Sequence, residues 1–93
     1  MNILLLTISL YAPWVHSLKE KRSIVKSLVV KLRNNYNVSV VESEDQNLHQ
    51  KITISIAAIT FNSFKSDNLE SKIIDFIEAN TEASIINIEK EIR

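Results

Sequence analysis

Ninety-three residues with no cysteine, no glycine and zero net charge form one small domain that can bury a single modest core. The missing cysteines exclude disulfides, zinc–thiolate sites and thiol nucleophiles, and they suit a reducing cytoplasm. The missing glycines exclude P-loops, dinucleotide fingerprints and nucleophile elbows, each of which needs positive φ or close backbone approach. Tight turns fall instead to Asn and Asp, at Asn34-Asn35, Asp45-Gln46-Asn47, Asn62-Ser63 and Asn80. The zero net charge conceals an asymmetry. Residues 1–36 hold six cations and one acid, net +5, and residues 37–93 hold five cations and ten acids, net −5.

Met1 to Leu10 lacks the positive region and cleavage site of a signal peptide, and its apolar run is half the roughly twenty residues a membrane span needs. It reads as a first strand, Ile3 to Tyr11. Leu4, Leu6, Ile8 and Leu10 form one apolar face, while on the other Ile3 and Leu5 give way to Thr7, Ser9 and Tyr11. Pro13 ends it. A helix then starts at Ser17, which with Glu20 makes an S-x-x-E capping box. Leu18, Val25, Leu28, Val29, Leu32 and Tyr36 recur at helical spacing, and Asn34-Asn35 stop the helix.

Val38, Val40 and Glu42 alternate as a half-buried second strand, and the polar residues 43–50 turn the chain. In the third strand Ile52, Ile54, Ile56 and Ala58 alternate with Thr53, Ser55, Ala57 and Ile59, so the two strands form a hairpin. Asp67 with Glu70 is expected to cap a second helix with Leu69, Ile73, Ile74, Phe76 and Ile77 on its apolar face. Ser84 to Ile88 reads as a short last strand followed by a charged tail. The order β-α-β-β-α-β, with right-handed crossovers, predicts an α+β ferredoxin-like fold over residues 1–93: a four-stranded antiparallel sheet with both helices on one face.

The run His16-Ser17-Leu18-Lys19-Glu20-Lys21-Arg22, with Leu28, Leu32-Arg33, Tyr36 to Val40, Glu42, Gln46, Leu48 and Gln50, resembles the small bacterial family of unknown function numbered 503, also called YlxP-like. The resemblance runs from about residue 2 to residue 78, and S-L-K-x-K-R is its most specific part. It implies a ferredoxin-like fold at similar length. Because members often lie beside genes of translation initiation and ribosome maturation, it also implies an RNA or ribosome connection by association. Asn47, His49 and Lys51 stand where the family tends to have Asp, Trp and Arg. The resemblance implies no activity.

Three regions offer candidate sites. The first is the start of the first helix, where cations oppose the macrodipole at about 0.3–1 kcal/mol each while free backbone N–H groups attract anions. His16, Lys19, Lys21, Arg22, Lys26 and Arg33 are the candidates for binding RNA or another anion. Lys19, Arg22, Lys26 and Arg33 fall within about 60° of one another on the helix. The competing explanation is internal neutralisation, by Asp67, Glu70, Asp75 and Glu78 of the second helix or by Glu42 and Glu44.

The second is the open sheet face, which has no central aromatic. Tyr11 and Phe61 fall at its far ends, so no base-stacking platform is expected on the sheet. Its small and apolar groups, Ile3, Leu5, Thr7, Tyr11, Thr53, Ser55, Ala57 and Ile59, suit a homodimer contact, against the plainer reading of a solvated face. The third is the hairpin loop, where Glu42, Glu44, Asp45 and His49 fit turn chemistry better than a metal site. Neither histidine sits in a nucleophile motif, and Ser17 is used as a cap. The expectation is a cytoplasmic, cofactor-free, non-enzymatic protein that binds RNA or a ribosomal particle through the start of the first helix. No membrane association and no DNA specificity are expected. The alternative is a homodimeric scaffold joined through the open sheet face.

Overall fold

In the computed structural model, which describes Met1–Arg93, β1 (Asn2–Tyr11) is flanked on both sides by later strands. It pairs antiparallel with β3 (Lys51–Thr60) on one edge and with β4 (Ser84–Ile92) on the other, and β2 (Ser39–Glu44) adds to β3. The sheet order is therefore β2-β3-β1-β4, the ferredoxin-like arrangement expected from the β-α-β-β-α-β order. A strand apolar on both faces belongs at the centre of such a sheet, and β1 is one through Ile3 to Leu6.

Alternation decides which face is covered. Leu4, Leu6, Ile8 and Leu10 of β1 stand opposite Ala58, Ile56, Ile54 and Ile52 of β3, and all are buried. Over them lie α1 (Leu18–Asn35), through Val25, Leu28 and Leu32, and α2 (Ser63–Asn80), through Ile73 and Ile77, in one continuous core. Tyr36 meets Phe76 edge to face, 5.5 Å between ring centres, where the helix layers join.

Ser17 caps α1 from an extended conformation, its side chain accepting the Glu20 N–H at 3.1 Å. For α2 the expected cap, Asp67, is wrong. The helix begins five residues earlier, at Ser63, because the Asn62 side chain accepts the Lys65 N–H at 2.9 Å. The buried Ser66 hydroxyl bonds that of Thr60, which ties this first turn to the end of β3. Asp67 instead pairs with Lys90. Asn62→Ala is expected to lower stability by about 1 kcal/mol in a urea titration, the usual worth of a cap. Asp67→Ala is expected to leave the start of α2 intact.

Both helices end without a left-handed residue. Tyr36 and Thr81 follow in extended conformation, and the last helical residue, Asn35 or Asn80, turns its amide back to donate to the carbonyl of Lys31 or Phe76, each at 2.8 Å. At both ends an Asn side chain thus adds a donor to the last turn where the left-handed glycine of many helix ends is missing. β4 also departs from expectation, continuing through the supposed charged tail to Ile92. Lys90 lies opposite Leu6, on the helix-covered face, where its ammonium meets Asp67 and Glu70 of α2 at 2.6 and 2.8 Å. Hydrogen bonds to Asp67 and then Glu70 raise the Lys90 pKa above its ordinary value. A charged edge strand of this kind also resists edge-to-edge pairing.

Candidate anion-binding edge

The cations of α1, the exposed Lys31 apart, divide into two groups. Lys21 belongs to the core stripe, since Lys21, Val25, Leu28 and Leu32 follow the i, i+4, i+7, i+11 spacing of one buried face. Only 1% of it is exposed. Its ammonium donates to the Asp45 carbonyl and stands 2.9 Å from Glu42 Oε2. Glu42 Oε2 is buried without a directed hydrogen bond, so its contact with Lys21 is ionic. Lys21 is therefore corrected from a candidate for external anions to an internal clamp between α1, β2 and the turn after it.

That turn is heavily pinned. Asp45 is the one residue with positive φ, 62°, as expected where a glycine-free chain must reverse. Its carboxylate accepts from Thr53 Oγ1 at 2.7 Å and lies 3.5 Å from the Lys51 ammonium. Further along, the Gln50 side chain donates to the Pro13 carbonyl at 2.9 Å, and the Gln50 backbone carbonyl accepts from the Ala12 N–H at 2.8 Å. The β1–α1 loop, the first turns of α1 and the β2–β3 turn are thus one block.

The Thr53 hydroxyl bond lowers the Asp45 pKa below 3.8 against an opposing effect of desolvation, with Lys51 assisting. A carboxyl depressed in the folded state stabilises it above the unfolded pKa, and that contribution is lost as pH falls through the folded value. Thr53→Val is expected to move the Asp45 titration, followed by carboxyl NMR, up towards 3.8 and to reduce this acid-side loss.

The second group is exposed. Lys19, Arg22 and Lys26 have no carboxylate partner, and His16 lies exposed just before the cap. Arg33, on the same stripe, donates to the Val40 carbonyl of β2 at 2.8 Å, which places the stripe on the β2 flank of α1. The flank towards α2 carries Ser23, Ile24 and Ser27, which share a cleft with Asn80, Thr81 and Glu82. The two sets lie roughly 120° apart around the helix. Neutralisation by α2 is therefore not the arrangement adopted. Asp67 and Glu70 answer to Lys90, and no ion pair joins α1 to α2.

The open sheet face splits into three parts. At its centre Thr7 meets Ser55 at 3.4 Å, Ser9 meets Thr53 at 3.1 Å, and Ser55 donates to Ser43 at 2.7 Å. Thr53 is only 1% exposed, so it is removed from the dimer-face candidates. Leu5, Thr7, Ser55 and Ala57 line a shallow groove of about 580 Å³ beside Val41, Glu89 and Glu91. One end is apolar, with Ile3 opposite Ile59, which is 72% exposed, and Phe61 beyond it at 81%. The other end holds Tyr11, in a groove of about 650 Å³ with residues 47–51 and Ile86. Asn47, His49 and Lys51, the three departures from the family pattern, all line this second groove. In the hairpin, Glu42 and Asp45 are committed to Lys21, Thr53 and Lys51.

No helix is long and apolar enough to cross a membrane. The molecule is a small ferredoxin-like α+β domain with one basic helix flank. The chain belongs to the family described as "Protein of unknown function (DUF503)", which it matches over residues 3–90. It is similar to "Uncharacterized protein YlxP" of Bacillus subtilis (strain 168), at 30% identity over 63 residues, 68% of each chain. The family's most specific run acquires a physical account here: Ser17 caps the helix, Lys21 clamps it, and Lys19 and Arg22 are left facing water.

Proposed function

We propose that this protein is a non-enzymatic, cofactor-free binding protein of the cytoplasm that holds RNA, free or within a ribosomal particle, against the β2 flank of α1. One observation carries the reading: Lys19, Arg22 and Lys26 share one exposed flank with no carboxylate to neutralise them. Like charges at i, i+3 and i+4 repel by about 0.2–0.5 kcal/mol per pair, and phosphates would relieve that repulsion. The test is an extract pull-down comparing the native chain with Lys19→Ala/Arg22→Ala/Lys26→Ala, in which Lys21 is kept so that the fold is preserved. The native chain is expected to retain RNA or ribosomal material that the variant loses. Equal capture by both, or capture by neither, would overturn the reading.

A second reading, self-association, is favoured by the apolar end of the open face, where Ile3, Ile59 and Phe61 are exposed. It predicts a dimer in sedimentation velocity that Ile59→Lys converts to a monomer. A native chain that stays monomeric at about 100 µM, well above the micromolar range of ordinary weak dimers, would remove it.

A further inference from the structure

Resting on the RNA reading, we propose that the groove beside Tyr11 is a single-nucleotide pocket in which one unstacked base lies on the Tyr11 ring. The groove lies where β1 ends, between Tyr11, the turn residues Asn47, Leu48, His49 and Lys51, and Ile86 of β4. Tyr11 is 43% exposed and lies outside the core, so part of its side chain is open to a ligand. The groove holds about 650 Å³ and is open to solvent, so a base can enter it from a flexible strand without displacing protein.

Its lining matches a nucleotide better than a bare anion. A phosphate alone has no use for the exposed apolar groups of Tyr11, Leu48 and Ile86. A base does, since stacking on an aromatic ring needs only a π-face and tolerates any sequence. Asn47 and His49 add hydrogen-bonding groups for a base edge, and Lys51, only loosely held by Asp45 at 3.5 Å, adds a cation. Ile86 reaches the groove through the register shift of β4 against Ser9 and Leu10, which sets Asn87 and Ile85 opposite these residues and leaves Ile86 between them. Bulges commonly re-aim a side chain beside a site. No stacking platform is needed across the sheet, because the turn supplies the second wall.

One wall of the groove is tied to the helix that carries the basic flank. The turn that walls it is held to α1 through Lys21 and Asp45, and to the β1–α1 loop through Gln50 and Pro13. The same helix carries the exposed Lys19 and Arg22. Because the wall is already pinned, binding requires little ordering of the protein.

The test uses fluorescence anisotropy on the full chain, with labelled dodecameric oligo(U) and, as an anion without bases, labelled polyphosphate. Tyr11→Ala is expected to weaken oligo(U) binding by about tenfold, within the range of one base–aromatic stack, while leaving polyphosphate binding unchanged and Tyr11→Phe near native. A matching melting temperature for Tyr11→Ala confirms that the fold survives. The pocket is overturned if Tyr11→Ala binds oligo(U) like the native chain, or loses polyphosphate equally. If the flank variant loses oligo(U) while Tyr11→Ala does not, only the pocket falls. If the native chain binds neither probe, the RNA reading falls with it.

Discussion

Lys21→Ala is expected to lower the unfolding free energy by about 3 kcal/mol, because it strips the partner from a largely buried Glu42 and leaves the Asp45 carbonyl without its donor. A domain of this length has roughly 5–14 kcal/mol in total, so the loss is a large fraction of its stability. In thermal unfolding it corresponds to a fall in melting temperature of about 12–24 °C. The double variant Lys21→Met/Glu42→Leu is expected to recover most of the loss, since apolar groups of similar size can replace a buried pair without leaving a charge behind. A single-variant loss below about 1 kcal/mol would place the pair in the class of weak surface bridges and refute the clamp.

The second large effect concerns salt. If Lys19, Arg22 and Lys26 each neutralise one phosphate of a single strand, the logarithm of the oligo(U) association constant should fall against log[salt] with a slope of about −2. Raising salt from about 50 to about 200 mM would then weaken binding roughly 20-fold. Lys19→Ala/Arg22→Ala/Lys26→Ala should remove most of that slope and leave only the share of Lys51. Tyr11→Ala should leave it unchanged, because stacking releases no counterions. Anisotropy titrations at four salt concentrations measure both. A slope that the flank substitutions do not alter would mean that the phosphates sit elsewhere.

Most of the architecture is legible from alternation and capping. The period-two pattern of Ile52 to Ile59 defines β3, and Ser17 with Glu20 defines the start of α1. Where the reading fails, a local rule meets a distant partner. Asp67-x-x-Glu70 has the form of a cap, but Asn62 lies closer to the end of β3, and the Thr60–Ser66 hydroxyl pair fixes the helix start there. The charged segment Glu89 to Ile92 looks like a tail, but β1 offers an unpaired edge and α2 offers acids for Lys90.

Lys21 is the instructive case at the candidate site. Its position in the series Lys21, Val25, Leu28, Leu32 was visible as helical spacing, and a lysine on an apolar stripe is a signal that it has a buried partner. The identity of that partner was not visible, because Glu42 and Asp45 come together with it only once β2 lies beneath α1. The Tyr11 groove was hidden for a similar reason. It is made by a turn and a bulge from three separate parts of the chain, and no periodicity reports on either.

The central position of β1 has a consequence in time. During synthesis the strand that is apolar on both faces is made before either of its partners, since β3 and β4 end 49 and 81 residues behind Tyr11. At translation speeds of about 5–20 residues per second, the edge that β4 closes stays open for roughly 4–16 s. Pairing over such sequence separations is slow to nucleate, and an exposed apolar strand edge is an aggregation hazard while it waits. The early +5 segment that follows β1 meets this interval with mutual repulsion between nascent chains. The excess of +5 thus stands beside the open strand early in synthesis and is cancelled by the acids that follow.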